Sequence, residues 1–176
     1  MNQALAVEAY GEVIEPNTLR IKRLLPGSID RVWAYLTDSD LRRQWLASGE
    51  MEMRVGAPFE LVWRNEELEN AGQRPEGSDE EHRMDSRITE IDPPHRLGFQ
   101  FGSSGEVTFE LEERGGEVLL TLTHRRLPGR EIMLKVAAGW HAHLDVLAAK
   151  AAGETPPPFW ANWTELREQY ARRIPA

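Results

Sequence analysis

The chain has 176 residues, 21 Lys plus Arg against 29 Asp plus Glu for a net charge of −8, and no cysteine. That length fits one domain, which buries roughly 70% of its unfolded surface and so needs no disulfide or metal staple for a core. The composition excludes thiolate-ligated zinc, iron–sulfur chemistry and thiol nucleophiles, and an acidic chain without a basic stripe argues against a nucleic-acid partner.

The start, MNQALAVEAYGEVIEP, has neither a basic n-region nor a continuous apolar stretch, and no apolar run approaches the about 20 residues of a membrane span. A cytoplasmic protein with no membrane insertion is expected. Residues 1–17 read as an N-terminal extension. The first strand is expected over 18–25, where Leu19 and Ile21 alternate with Arg20 and Lys22. Ser28 is placed to cap a short helix over 29–37, in which Ile29, Val32, Trp33 and Leu36 recur at helical spacing. A second short helix follows, capped by Asp38 or Ser39, with Leu41, Trp45 and Leu46 on its apolar side. Residues 51–55 and 58–63 read as two strands separated by Gly56 and Ala57.

Residues 65–81 hold seven acidic residues and one basic residue, Arg74. Almost nothing in this stretch is apolar, so a long mobile loop is expected. Strand patterns then resume over 83–91, 96–101, 106–113 and 117–125. The Gly and Pro between them supply the tight connections of an antiparallel meander. After Gly129, a long helix carries Met133, Val136, Ala137, Trp140, Leu144, Leu147 and Ala151 as one apolar stripe, with Gly153 as its stop. Pro156, Pro157 and Pro158 prevent continuation. A last helix is expected from about Trp160 to Arg173, with Asn162 and Glu165 at capping-box spacing and Trp163, Leu166 and Tyr170 buried.

In this order of elements the sheet must bury its inner face against the long helix, curling round it and leaving a wedge that the short helices plug at one end. The run Leu19 to Leu46, the step Val55 to Phe59, the run Ile88 to Leu97, and Ala138-Gly139-Trp140 ahead of Leu144 and Leu147 resemble the family related to the C-terminal domain of the heat-shock protein 90 ATPase activator. That family lies in the START-like (SRPBCC) superfamily, and the resemblance covers roughly residues 18–152. It implies an α+β helix-grip fold: a curved antiparallel sheet of six or seven strands wrapped on a long C-terminal helix, with two short helices after the first strand. Residues 18–153 would form this domain, and 154–176 a proline-rich connector and a helix packed on it. The chain departs from the family pattern at the acidic loop, at Ala57 and after residue 154.

No G-x-S-x-G, H-E-x-x-H, Walker or G-x-G-x-x-G pattern occurs, so no catalytic residue and no cofactor is assigned. His141 and His143 point about 200° apart on a helix, which prevents one ion from taking both. Glu110, Glu112 and Glu113 read as solvated strand positions. The chain reads as a non-enzymatic domain that binds a small apolar or amphipathic molecule, with Trp63, Phe99, Phe101, Met133, Val136 and Trp140 as walls. His124 and His143 are polar candidates beside them. The simpler reading of His124 is a strand-end histidine reaching water, and that of His143 a satisfied core or surface histidine. An apolar void of about 300 Å³ would cost roughly 7 kcal/mol, so it must be filled, hydrated or collapsed. The alternatives are a protein partner, as the family name implies, or a cyclase or hydrolase using pocket-edge groups.

Overall fold

The structure, a computed structural model, describes residues 8–175; residues 1–7 of the expected extension, and Ala176, lie outside the described part. Seven strands run through the described residues: β1 (Glu12–Glu15), β2 (Thr18–Pro26), β3 (Pro58–Trp63), β4 (His82–Asp92), β5 (Arg96–Gln100), β6 (Glu106–Arg114) and β7 (Glu117–Arg125). They form one antiparallel sheet in the order β1-β2-β7-β6-β5-β4-β3. Helices α1 (Ile29–Thr37) and α2 (Ser39–Arg42) follow β2, and α3 (Arg130–Ala152) and α4 (Phe159–Arg173) close the chain. This is the helix-grip arrangement, a curved sheet gripping α3.

Local chemistry sets the helix ends. The Ser28 hydroxyl accepts from the Arg31 amide at 3.2 Å, and Asp38 accepts from Asp40 and Leu41 at the start of α2. At the end of α3, Gly153 takes φ 71°, a left-handed conformation that costs glycine nothing. Trp45 and Leu46 fall beyond α2, in turns, and are nonetheless buried.

The inner face of the sheet follows from register. Leu19 of β2 pairs with His124 of β7, which pairs with Val107 of β6; Ile21, Leu122 and Phe109 form the next row. All six are buried, and α3 lies on them, with the Trp140 and Phe109 rings 5.8 Å apart.

Four expectations are corrected. Residues 51–55 form no strand: the Gly49 amide donates to Ser39 Oγ, its carbonyl accepts from Arg42, and Met53 and Val55 stay exposed, which leaves no apolar face to bury. The seventh strand is instead β1, turned back on β2 by Asn17 at φ 64°. The first part of the acidic stretch, residues 68–71, is pinned down. Leu68 and Ala71 are buried, and the Asn70 and Ala71 carbonyls accept from the Phe159 and Trp160 amides. Those carbonyls satisfy the first turn of α4, so the Asn162–Glu165 box is not used, and Asn162 Nδ2 donates to Asp145 at 2.9 Å. Finally, α3 is buried on more than its stripe, because α4 covers a second face that includes His141.

That second face holds a polar cluster. The Tyr170 hydroxyl accepts from the Gly11 amide at 2.7 Å and donates to His141 Nδ1 at 2.8 Å. Asp145 holds Arg23 at 3.2 Å, and Arg23 donates to the Ala9 carbonyl. The chain around residues 9–11, β2, α3 and α4 are thus tied by a single set of bonds.

Candidate functional site

Between the sheet, α3 and α4 lies a cavity of about 440 Å³. The sheet contributes Trp63, at the end of β3, and Phe101, just past β5. Facing them, α3 contributes Val136, Gly139, Trp140 and His143, while α4 supplies Phe159, Trp160 and Trp163. Leu46 lines it from the turns after α2. Asn65, Ser78 and Asp79 of the acidic stretch, with His82 and Lys135, complete the lining; Asp79, His82 and Lys135 are exposed and mark its rim. This volume falls within the range of small-molecule sites, about 300–1,000 Å³.

The wall is a chain of rings. Trp63 and Phe101 lie 5.9 Å apart, Phe101 and Trp140 5.6 Å, and across the cavity Phe159 and Trp160 5.0 Å and Trp160 and Trp163 6.1 Å. Most of these pairs meet edge to face, the arrangement the ring quadrupole favours.

Of the residues singled out in the sequence, Trp63, Phe101, Val136, Trp140 and His143 line the cavity. Phe99, Met133 and His124 are buried behind it. Phe99 packs between Phe59 and Phe109, with ring centres at 5.5 and 6.2 Å, and Met133 is core. His124 shares the inner face with Leu120 and Leu122, as its spacing predicts, and it does not reach water. It is 0% exposed, because Phe101 covers its ring at 4.9 Å and the 102–105 turn closes over the strand end.

The histidines are held neutral. The indole of Trp140 can only donate, so His124 Nδ1 accepts at 3.0 Å and its Nε2–H donates to the Ser104 carbonyl at 2.6 Å. Burial pushes His124 down to about 4, with the Ser104 bond opposing. His143 donates from Nδ1 to the Trp45 carbonyl at 2.8 Å and lies against Phe159 at 4.7 Å. Burial lowers it to about 4 as well, so its Nε2 carries a lone pair on a ring that lines the cavity. His141 belongs to the polar cluster on the other face of α3, well apart in role from His143. Glu112 and Glu113 are exposed and Glu110 is half-buried, with Glu110 and Glu112 in surface ion pairs.

Sequence reasoning missed Gly139, Leu46, the rim residues and the contribution of α4. Two signals were available: a glycine inside a helical pattern, and three aromatic residues within five positions directly after a triple proline. Among the described residues a Cβ built at Gly139 meets nothing within 4 Å, so this helix-interior glycine borders open space in the cavity.

Comparison with known proteins agrees with this architecture. The family described as Activator of Hsp90 ATPase homolog 1-like protein matches residues 26–152. A solution structure of the protein encoded by gene BPP1335 from Bordetella parapertussis is 40% identical, with a TM-score of 0.82 over 97% of this chain and 93% of that one. CalU16 from Micromonospora echinospora is 22% identical, with a TM-score of 0.62 over 93% of both chains. EF2215 from Enterococcus faecalis, a conserved protein of unknown function, is 18% identical, with a TM-score of 0.62 over 90% of this chain and 86% of that one. No curated protein matches. Among the described residues no helix is long and apolar enough to cross a membrane, and no group of three or more His, Cys, Asp or Glu is placed to hold a metal ion. With 127 contiguous residues matched and the same fold in its relatives, the chain belongs to the Activator of Hsp90 ATPase homolog 1-like family of the START-like superfamily.

Proposed function

We propose that the protein binds a small apolar or amphipathic molecule in the cavity between the sheet and α3, as a holder of that molecule and not as a catalyst on it. The observation that carries this reading is Gly139. Glycine in a helix interior costs about 0.5–1 kcal/mol relative to alanine. Here no neighbour excludes a Cβ, and the space it would enter is the cavity. The glycine therefore costs stability and preserves volume, as a binding site requires and a packed core does not.

The lining supports the same reading. It is dominated by aromatic carbon with a few polar groups among it, the usual composition of a small-molecule site. Native mass spectrometry of freshly purified protein, with a thermal-shift panel of lipids and aromatics, tests it. A retained molecule or a raised melting temperature is expected, and neither across the panel overturns it.

Family membership favours a second reading, a protein partner of the chaperone-ATPase kind named in the family description. Adding the chain to a bacterial chaperone ATPase separates the two, since a partner changes the turnover rate and a small-molecule holder leaves it unchanged.

A further inference from the structure

Two segments outside the family match lie against each other. The match covers residues 26–152; the chain around Tyr10 and Gly11 precedes it and α4 follows it. The Tyr10 ring meets Tyr170 of α4 at 5.5 Å and His141 of α3 at 4.9 Å, both edge to face, and the Arg173 guanidinium lies 3.6 Å from its centre. Gly11 lets this segment lie close on β2, since a Cβ there would stand 2.5 Å from Cγ1 of Ile21. That approach brings its amide to the Tyr170 hydroxyl, while Arg23 donates to the Ala9 carbonyl at 2.7 Å.

The two ends of α4 are held differently. Its first turn hangs on the Asn70 and Ala71 carbonyls, and the Pro156 carbonyl just before it accepts from Asn70 Nδ2 at 2.8 Å. Beyond Phe159 the helix buries Leu166 and Tyr170, with Ile174 at its cap, and several of its other ties are polar. Asn162 donates to Asp145, and Arg130 of α3 donates to the Ala171 and Ile174 carbonyls at 2.9 Å. Hydrogen bonds of this kind exchange for bonds to water at a small net cost. An element with few buried apolar side chains opens locally before the rest of its fold. Trp163 of α4 and the exposed Lys135 both line the cavity, so release of the far end of α4 widens it at the rim.

Resting on the reading of the cavity as a binding site, we propose that α4 is a hinged wall of it and that Tyr10 and Gly11 form the latch. While they hold Tyr170 and Arg173, α4 stays against α3. When they let go, α4 swings on the connector 153–158, where Gly153 at φ 71° turns the chain, and the bound molecule exchanges. The latch precedes the matched domain and the wall follows it, so access is controlled from two segments outside that domain.

The chain has no cysteine, so one introduced thiol reports the motion. Leu166→Cys places it on the buried face of α4, and Ala142→Cys places it on α3 as a control. With iodoacetamide and the full chain under native conditions, Tyr10→Ala is expected to speed labelling at Leu166→Cys about tenfold and to leave Ala142→Cys unchanged. Tyr10→Phe keeps the ring and should label at the rate of the chain that retains Tyr10. Tyr10→Ala should also raise the association and dissociation rates of the neutral apolar fluorophore N-phenylnaphthylamine together, about tenfold, with little change in Kd. Equal labelling at Leu166→Cys with and without Tyr10→Ala, or the same acceleration at Ala142→Cys, overturns the latch. Faster labelling with unchanged fluorophore rates overturns it as a control of access. If no fluorophore binds, the cavity reading fails, and the labelling comparison still decides the latch. Should Tyr10→Ala not fold, Arg173→Gln, which removes the cation over the ring, carries the same comparison.

Discussion

Nε1–H of Trp140 on α3 donates to Nδ1 of His124 on β7 across 3.0 Å, joining the long helix to the middle of the sheet and fixing the imidazole as its Nε2–H tautomer. Trp140 has its ring on the cavity and its N–H spent on the core, so the wall is rigidly set from behind. Its partner must remain uncharged, since a protonated His124 would turn Nδ1 into a second donor facing the indole.

Acid should therefore unfold the protein in a defined window. His124, His141 and His143 each fall to about 4 in the folded chain, burial being the leading cause, against about 6.5 unfolded. At His141, Asp145 opposes the shift while Arg23 and Arg173 add to it. Below pH 6.5 the unfolded chain takes up protons that the folded chain refuses, so stability falls as pH drops towards 4, by about 3 kcal/mol per histidine at the lower end. Together these losses rival a typical domain's net stability of about 5–15 kcal/mol. Urea denaturation midpoints should decline steeply from pH 7 to pH 5; a flat profile there contradicts the neutral assignments.

The outline of the fold was legible because period-2 and helical patterns survive wherever an element has one buried face. Ser28, Gly153 and the alternation of Leu19 and Ile21 all act locally, and each does what its chemistry predicts. What escaped was set by distant partners. Residues 51–55 have strand-like composition, but Arg42 and Ser39 take the Gly49 backbone and divert the chain. The acidic stretch looks unable to order itself, and it is held by Leu68, Ala71 and its bonds to α4. For the site, ring content identified Trp63, Phe101 and Trp140. Depth could not be read from it: Phe99 and Phe101 share a sheet face two residues apart, yet only Phe101 reaches the cavity.

Tyr170→Phe isolates the tie between α4 and the chain near residue 11. The hydroxyl satisfies the Gly11 amide and His141 Nδ1 at once, and its loss leaves both without that partner. A destabilisation of about 1–3 kcal/mol is expected in chemical denaturation. Exchange protection of the Gly11 amide should drop with it. Unchanged stability would show that the cluster contributes nothing.

Arg42 is 2% exposed and, among the described residues, has no carboxylate in contact; it donates to the Leu36, Ala47 and Gly49 carbonyls. Desolvation pulls its guanidinium down to about 10, with Glu50 and Asp38 opposing, so it remains charged at neutral pH. Arg42→Met keeps length and removes the donors, leaving three carbonyls in need of partners. A loss of about 3 kcal/mol or more is expected, with the 47–51 segment losing exchange protection first. A neutral effect would assign this guanidinium no role in holding the segment.

Gly139→Ala should raise stability by about 0.5–1 kcal/mol, the intrinsic helix gain, because its Cβ meets no atom within 4 Å. A fall in melting temperature would show that the glycine is kept for packing and not for volume.

Gly139→Phe fills the cavity from the backbone of α3 without a clash at Cβ, and so should displace whatever binds between the sheet and that helix. The measurement is titration of wild type and variant with the neutral apolar fluorophore N-phenylnaphthylamine. The wild type should bind it, and the variant should bind about tenfold or more weakly while melting no lower. Equal binding by both proteins, or none by the wild type, would contradict a ligand site between the sheet and α3.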